Sequence, residues 1–204
     1  LARSATHWLG GRKPSESGRA GHAPSGRPAT VGFVTGPRVP RAADEVVASG
    51  RSWAKGASET ALLATAAEVS AIAERVDVLH VAAHGRHAAE NALFSGIELR
   101  DGPWFGYDID QLASVPEVVI LSSCELGRSS VRAAEELLGM TTAWLHAGAR
   151  CVIASPTLVN DDAACELLPR VHQALADGRP PAEALTLARA ESGVLAPFAC
   201  FGSG

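Results

Sequence analysis

No stretch of this chain approaches the roughly 20 consecutive apolar residues of a membrane-spanning helix, and its first residues lack the charged-then-apolar order of a secretory leader. A soluble, cytoplasmic domain is expected. Cys124, Cys151, Cys165 and Cys200 include no Cys-x-x-Cys pair and no close histidine spacing, which argues against a zinc site. A disulfide is no better supported. Cys124 follows the carboxyl end of one expected strand and Cys151 opens the next, which separates them by on the order of 15 Å at ~3.3 Å per residue. The cysteines are expected to be reduced, with Cys151, Cys165 and Cys200 as small core residues. Also missing are a Gly-x-Ser-x-Gly elbow, a P-loop and a Gly-x-Gly-x-x-Gly turn; Gly50 to Gly56 has P-loop residues in the wrong order. There are no internal repeats. Neither a metal nor a cofactor is expected.

What is present suits one globular domain: 204 residues, 47% of them hydrophobic, enough to bury a continuous core without staples. The net charge of −4 is uneven. Residues 1–30 set Arg3, Arg12, Lys13, Arg19 and Arg27 against Glu16 alone, so +4 falls on this stretch and −8 on the remainder. Rich in Gly, Ser and Pro, the stretch buries too little apolar surface to offset its ordering entropy and is read as a linker or mobile arm. Without interleaved aromatics beyond Trp8, it is read as a solvated tether rather than a nucleic-acid contact. The chain opens on Leu1 rather than Met, as expected of a piece of a longer polypeptide.

From residue 31 to 204, apolar runs of strand type alternate with helical patterns. Strands are expected at Val31 to Val34, in the run Val76 to Gly85, in the run Glu117 to Gly127, at Cys151 to Ala154 and at Phe198 to Phe201. A helix is expected from Ser58 on the spacing of Leu62, Ala66, Val69 and Ala73. A second runs from about 131 to 147, burying Ala134, Leu137, Leu138, Trp144 and Leu145 and stopping at Gly148. A third is capped by Asn160, with Ala164, Leu168, Val171 and Leu175 on one face, and a fourth runs from Pro181 to about Glu191. Phe94 to Leu99 and Trp104 to Tyr107 flank Asp101-Gly102 as a hairpin excursion, after which Asp108 and Gln111 resemble the capping pair of a short helix. Such alternation predicts an α/β fold with a mostly parallel sheet covered on both faces.

Two of the expected strands end in reactive side chains. Val76-Asp77-Val78-Leu79-His80-Val81-Ala82-Ala83-His84-Gly85 supplies a histidine, and Glu117 to Gly127 supplies Cys124 after Ser122-Ser123. If these strands are neighbours, both side chains emerge at the carboxyl edge, where open α/β sheets bind ligands. His80 lies mid-strand and is read as a hydrogen-bonded core residue, whereas His84 lies beyond the strand end beside Gly85; His87 competes more weakly from the following loop. A thiol is mostly protonated near neutral pH and needs a base, and a neutral imidazole serves. His84 and Cys124 therefore form a candidate Cys-His dyad. The backbone N–H groups of Gly85 and Cys124 are the nearest candidates for an oxyanion hole.

The segments Leu79 to Gly85, Leu121 to Gly127 and Ala147 to Ser155, in this order, resemble the CHAT domain, a bacterial branch of the caspase-like (clan CD) cysteine peptidases. The resemblance covers about residue 31 to the end. It implies a three-layer α/β/α sandwich, a catalytic His84 and a nucleophilic Cys124, and hence an endopeptidase acting on protein or peptide substrates. It further implies an upstream sensor or repeat domain in the same polypeptide. Pro156-Thr157 stands where the family usually has Leu-Trp, and Pro197-Phe198 departs again near the end, so the cleft walls differ. A catalytically silent interaction or scaffold domain is the alternative. In caspase-like sheets the loop after the Cys151 strand helps wall the first specificity pocket. Here it runs from Ser155 to Asn160 into Asp161 and Asp162, whose carboxylates are expected to hold a basic substrate side chain. The competing reading makes both acids first-turn residues favoured by the helix dipole.

Overall fold

A computed structural model of the chain describes residues 29–54, 57–86, 95–122, 130–157 and 159–203; side chains are not described at 86 and 130–138. Nearly all of the expected arm, together with Cys124, His87, Ala134, Leu137 and Leu138, therefore falls outside the described backbone or side chains.

The core of the fold is a six-stranded sheet in the order β2-β1-β3-β7-β8-β9. Its strands are β1 (Val31–Thr35), β2 (Ser58–Ala61), β3 (Val78–Ala82), β7 (Val118–Ser122), β8 (Cys151–Ala154) and β9 (Ala199–Gly202). All neighbours pair in parallel except β8 with β9. The central strands are buried on both faces, as continuous branched apolar runs dictate. A three-stranded antiparallel sheet, β4 (Gly85–Arg86), β5 (Gly96–Leu99) and β6 (Gly102–Phe105), is the hairpin excursion. Its turn is Arg100-Asp101 rather than Asp101-Gly102. Gly102, at φ 132, opens β6 opposite Leu99.

Helices α1 (Ala42–Gly50), α5 (Asp161–Ala176) and α6 (Pro181–Ser192) cover one face of the sheet. On the other lie α2 (Ala66–Ala73), the short α3 (Gly106–Ile109), α4 (Ser130–Ala147) and the hairpin. The result is a three-layer sandwich with two apolar cores. Phe33, Ile120, Leu168 and Phe198 fill the first, and Leu79, Leu121, Trp104 and Trp144 the second. Each side chain buried this completely contributes about 1.5–3 kcal/mol of transfer free energy.

Three local expectations are corrected. Ser58 begins an edge strand, not a helix. The helix starts at Ala66 because Thr65 and Glu68 close a capping box: the Thr65 N–H donates to the Glu68 carboxylate at 2.8 Å and the Glu68 N–H to the Thr65 hydroxyl at 3.3 Å. Asp108 lies inside the first turn of α3, its carboxylate accepting from the Phe105 N–H at 2.7 Å, so that helix starts earlier and ends at Ile109. Cys151 is buried, but Cys165 and Cys200 are only partly so.

The chain runs outward from β1 to β2 and then crosses back to β3 on the other side of β1. This reversal puts a topological switch point at the carboxyl ends of β1 and β3, the kind of place where doubly wound sheets hold ligands.

Candidate functional site

His84 lies at that edge, two residues past the end of β3. β3 and β7 stay zipped past the last strand residue by a bond from the Ala83 N–H to the Ser122 carbonyl at 3.2 Å. His84 is thus carried on the next residue of the ladder, beside the point where the chain leaves β7 for Cys124. Cys124 itself lies outside the described residues. Gly85 is drawn into β4 opposite Ile97.

The orientation of the imidazole comes from the loop after β1. His84 Nε2 lies 2.8 Å from the Arg38 carbonyl oxygen, which can only accept. The proton of the neutral ring therefore sits on Nε2, and the lone pair on Nδ1. Among the described residues Nδ1 is buried without a hydrogen-bond partner. Leaving a buried acceptor unpaired costs about 1–3 kcal/mol, and such groups in native folds mark catalytic roles or absent partners. Here the orphan is the atom that a general base uses.

A chain of buried polar groups runs through the core from Trp53 to Ser122. The Trp53 Nε1–H donates to His172 Nδ1 at 3.2 Å. Since indole nitrogen only donates, His172 carries its proton on Nε2, which meets His80 Nδ1 at 3.0 Å. His80 in turn donates from Nε2 to Glu45 at 2.9 Å, and the Ser122 hydroxyl reaches the other Glu45 oxygen at 3.2 Å. Glu45 is 3% exposed, His80 and His172 not at all. Burial, and then the neighbouring His80, push His172 well below the usual histidine range. His80 is the hydrogen-bonded core residue its mid-strand position predicts. The network around it could not be read from sequence: its partners Glu45 and His172, and Ser122 and Trp53 beyond them, come from four separate segments. The chain ties α1, β3, β7 and α5 together.

Asp161 and Asp162 open α5 at the same edge, after β8. The Asn160 side chain caps the helix by accepting from the Asp162 N–H at 2.8 Å. The Asp162 carboxylate is bound by the Arg41 guanidinium from the β1 loop, and Arg41 lies 3.5 Å from Asp44 as well. Asp161 is partly buried, with no ion-pair partner among the described residues. Cys165, one turn further on, has its thiol pushed up to about 11, first by burial and then by Glu45. Cys151 is raised by the Cys200 thiol and by burial, and Cys200 is lowered by Cys151. Among the described residues no cluster of histidine, cysteine and carboxylate side chains is arranged to hold a metal ion. No described helix is long and apolar enough to cross a membrane.

A mostly parallel six-stranded sheet covered by helices on both faces, with His84 at its carboxyl edge, defines the class: a three-layer α/β protein. The family model for the CHAT domain matches residues 2–192, and the chain belongs to that family of caspase-like peptidases. The match begins within the basic stretch and ends with α6. No curated protein matches. Among solved structures, one similar chain is the pyridoxal kinase from Staphylococcus aureus in complex with pyridoxal, at TM-score 0.42 and 12% identity, covering 81% of this chain and 87% of that one. A likeness so distant carries no argument about chemistry.

Proposed function

We propose that the chain is a cysteine endopeptidase in which His84 activates Cys124. The observation that supports this is the His84 ring itself, with Nε2–H held by the Arg38 carbonyl and Nδ1 unpartnered at the end of β3. Nδ1 takes the thiol proton, and the thiolate attacks the carbonyl carbon of the scissile peptide bond. The backbone N–H groups of Gly85 and Cys124 are the proposed donors to the oxyanion. The imidazolium then protonates the leaving amine, a thioester forms, and water activated by the same Nδ1 hydrolyses it. The substrate is a protein, and control comes from an upstream sensor or repeat domain of the same polypeptide.

Cys124→Ala and His84→Ala are each expected to abolish cleavage of a fluorogenic peptide library while leaving the circular dichroism spectrum unchanged. Turnover near the wild-type rate in either folded variant would remove that residue from the mechanism. An inert wild type that still bound peptide would favour a scaffold. Selectivity is proposed to reside partly at Asp161. With Asp162 engaged by Arg41, Asp161 is the carboxylate left to meet a substrate cation. Arg or Lys is therefore expected on the amino side of the cleaved bond. A charge-assisted hydrogen bond of roughly 1.5–3 kcal/mol corresponds to about a 10- to 100-fold preference, which Asp161→Asn should erase. Indifference of the wild type to Lys and Arg, or unchanged selectivity in the variant, would reject this role.

A further inference from the structure

One residue of the hairpin excursion grips the catalytic corner at three places, and we propose that Glu98 is a positioning residue that sets the tautomer of His84 through Arg38. The inference rests on the reading of His84 as the base. Glu98 lies on β5, and its backbone N–H donates to the His84 carbonyl at 2.8 Å. Its carboxylate accepts from the Arg38 guanidinium, and the Arg38 carbonyl accepts from His84 Nε2 at 2.8 Å. These contacts close a ring of three residues. The third grip is steric. The Glu98 carbonyl oxygen is packed so tightly over Gly36 that a Cβ there would stand 2.4 Å from it, and 2.8 Å from the Ala83 Cβ. The β1 loop is thus pressed between the hairpin and the end of β3.

The loop needs such a clamp because its backbone is strained. Arg38 has φ 59 and Arg41 φ 60, left-handed values that cost a non-glycine residue roughly 1–2 kcal/mol. Strain of this kind persists only where surrounding contacts over-determine it. The left-handed turn at Arg38 is bound up with the direction in which its peptide carbonyl points. If Arg38 relaxes to a negative φ, the carbonyl swings off Nε2 and nothing described holds the proton there. A ring protonated on Nδ1 cannot accept the thiol proton at that atom. The Arg38 side chain is 73% exposed and that of Glu98 26%, so the pair adds little to global stability. Its effect is on geometry, which separates this role from a structural one.

The test uses the full chain labelled with 15N-histidine. Long-range proton–nitrogen spectra report which ring nitrogen carries the proton, with His84→Ala assigning the resonance, alongside kcat and KM on a cleaved peptide. In the wild type His84 is expected to be protonated on Nε2. Glu98→Ala should mix the tautomers and lower kcat about tenfold or more with KM within about twofold, while Glu98→Gln, which keeps an oxygen acceptor for Arg38, retains most of both. Arg38→Met removes the grip without touching the hairpin and should reproduce Glu98→Ala, so misfolding of one variant leaves the other as the test. A wild-type tautomer in both truncated variants would overturn the proposal, as would an equal loss in Glu98→Gln. Should His84→Ala remain active, the assignment of the base fails, whereas the tautomer readout still judges the Glu98 clamp.

Discussion

The three described cysteines differ by environment: Cys151 is buried, whereas Cys165 and Cys200 are partly exposed. Cys151 is buried and raised, and Cys165 is pushed up to about 11, so neither offers much thiolate near neutral pH. Cys200, partly buried and lowered by Cys151, is the strongest competitor among the described thiols. Brief iodoacetamide treatment of native protein is expected to modify Cys124 first, then Cys200, and Cys151 last, as read by peptide mass spectrometry. Faster labelling of Cys165 or Cys151 would contradict the assigned burial. Sequence reasoning singled out His84 from its position beside Gly85 past a strand end, and the structure places it one residue beyond the Ala83–Ser122 bond. It could not find Arg38, because the group that acts there is a backbone carbonyl, and every residue has one.

Among the elements, the β1 loop is the part whose geometry matters most for the site and whose sequence signal is least direct. Gly36 is its pivot: its N–H donates to the Ala82 carbonyl at 2.9 Å, and its Cα is covered by Glu98 and Ala83. Gly36→Ala is expected to destabilise the fold by about 1–3 kcal/mol through overpacking against backbone that cannot yield. It should also lower peptide cleavage more than that stability loss explains, because the loop carrying the Arg38 carbonyl must shift. Urea unfolding and kcat measured on the same preparation check both; a variant with wild-type stability and turnover would show that the packing has slack. The helix α1 that follows gives no clear apolar stripe, since its buried residues include Glu45 and Ser49 beside Ala42 and Val46. Polar groups turned inward spoil the periodicity on which helix recognition depends. Edge strand β2 is hidden for the opposite reason. Ser-Glu-Thr-Ala is mostly exposed and is ordered by backbone pairing to β1 rather than by its own side chains.

For the whole molecule, the buried chain from Trp53 to Ser122 makes stability depend on pH. His172 is held neutral in the fold, faced by Phe33, Trp53 and the stacked His80 ring. In the unfolded chain it takes up a proton near pH 6.5. Below that value, until the folded group also titrates, the unfolded state carries the extra proton. The stabilisation is therefore complete above about pH 6.5 and is lost as pH falls, at up to about 1.36 kcal/mol per unit from this residue. Urea midpoints at pH 7.5 and 5.5 are expected to show the loss. His172→Gln should flatten the slope by about one proton even where it lowers stability at both values, and an unchanged slope would place the acid sensitivity elsewhere.

The alternation of branched apolar runs with helical periodicity determined the α/β sandwich, and the position of His84 relative to its strand determined that a reactive group stands at the carboxyl edge. Both are local properties of pleat and helical turn, readable within windows of a dozen residues. Only the tertiary structure decided which nitrogen of His84 is held by a carbonyl, because that carbonyl belongs to a residue 46 positions away. It likewise decided that Glu45 and Ser122, 77 residues apart, meet in the core, and that Arg41 reaches Asp162 across 121. A hydrogen bond is specified by direction and distance between two atoms. Direction between segments so remote exists only after the sheet has brought their ends to one edge.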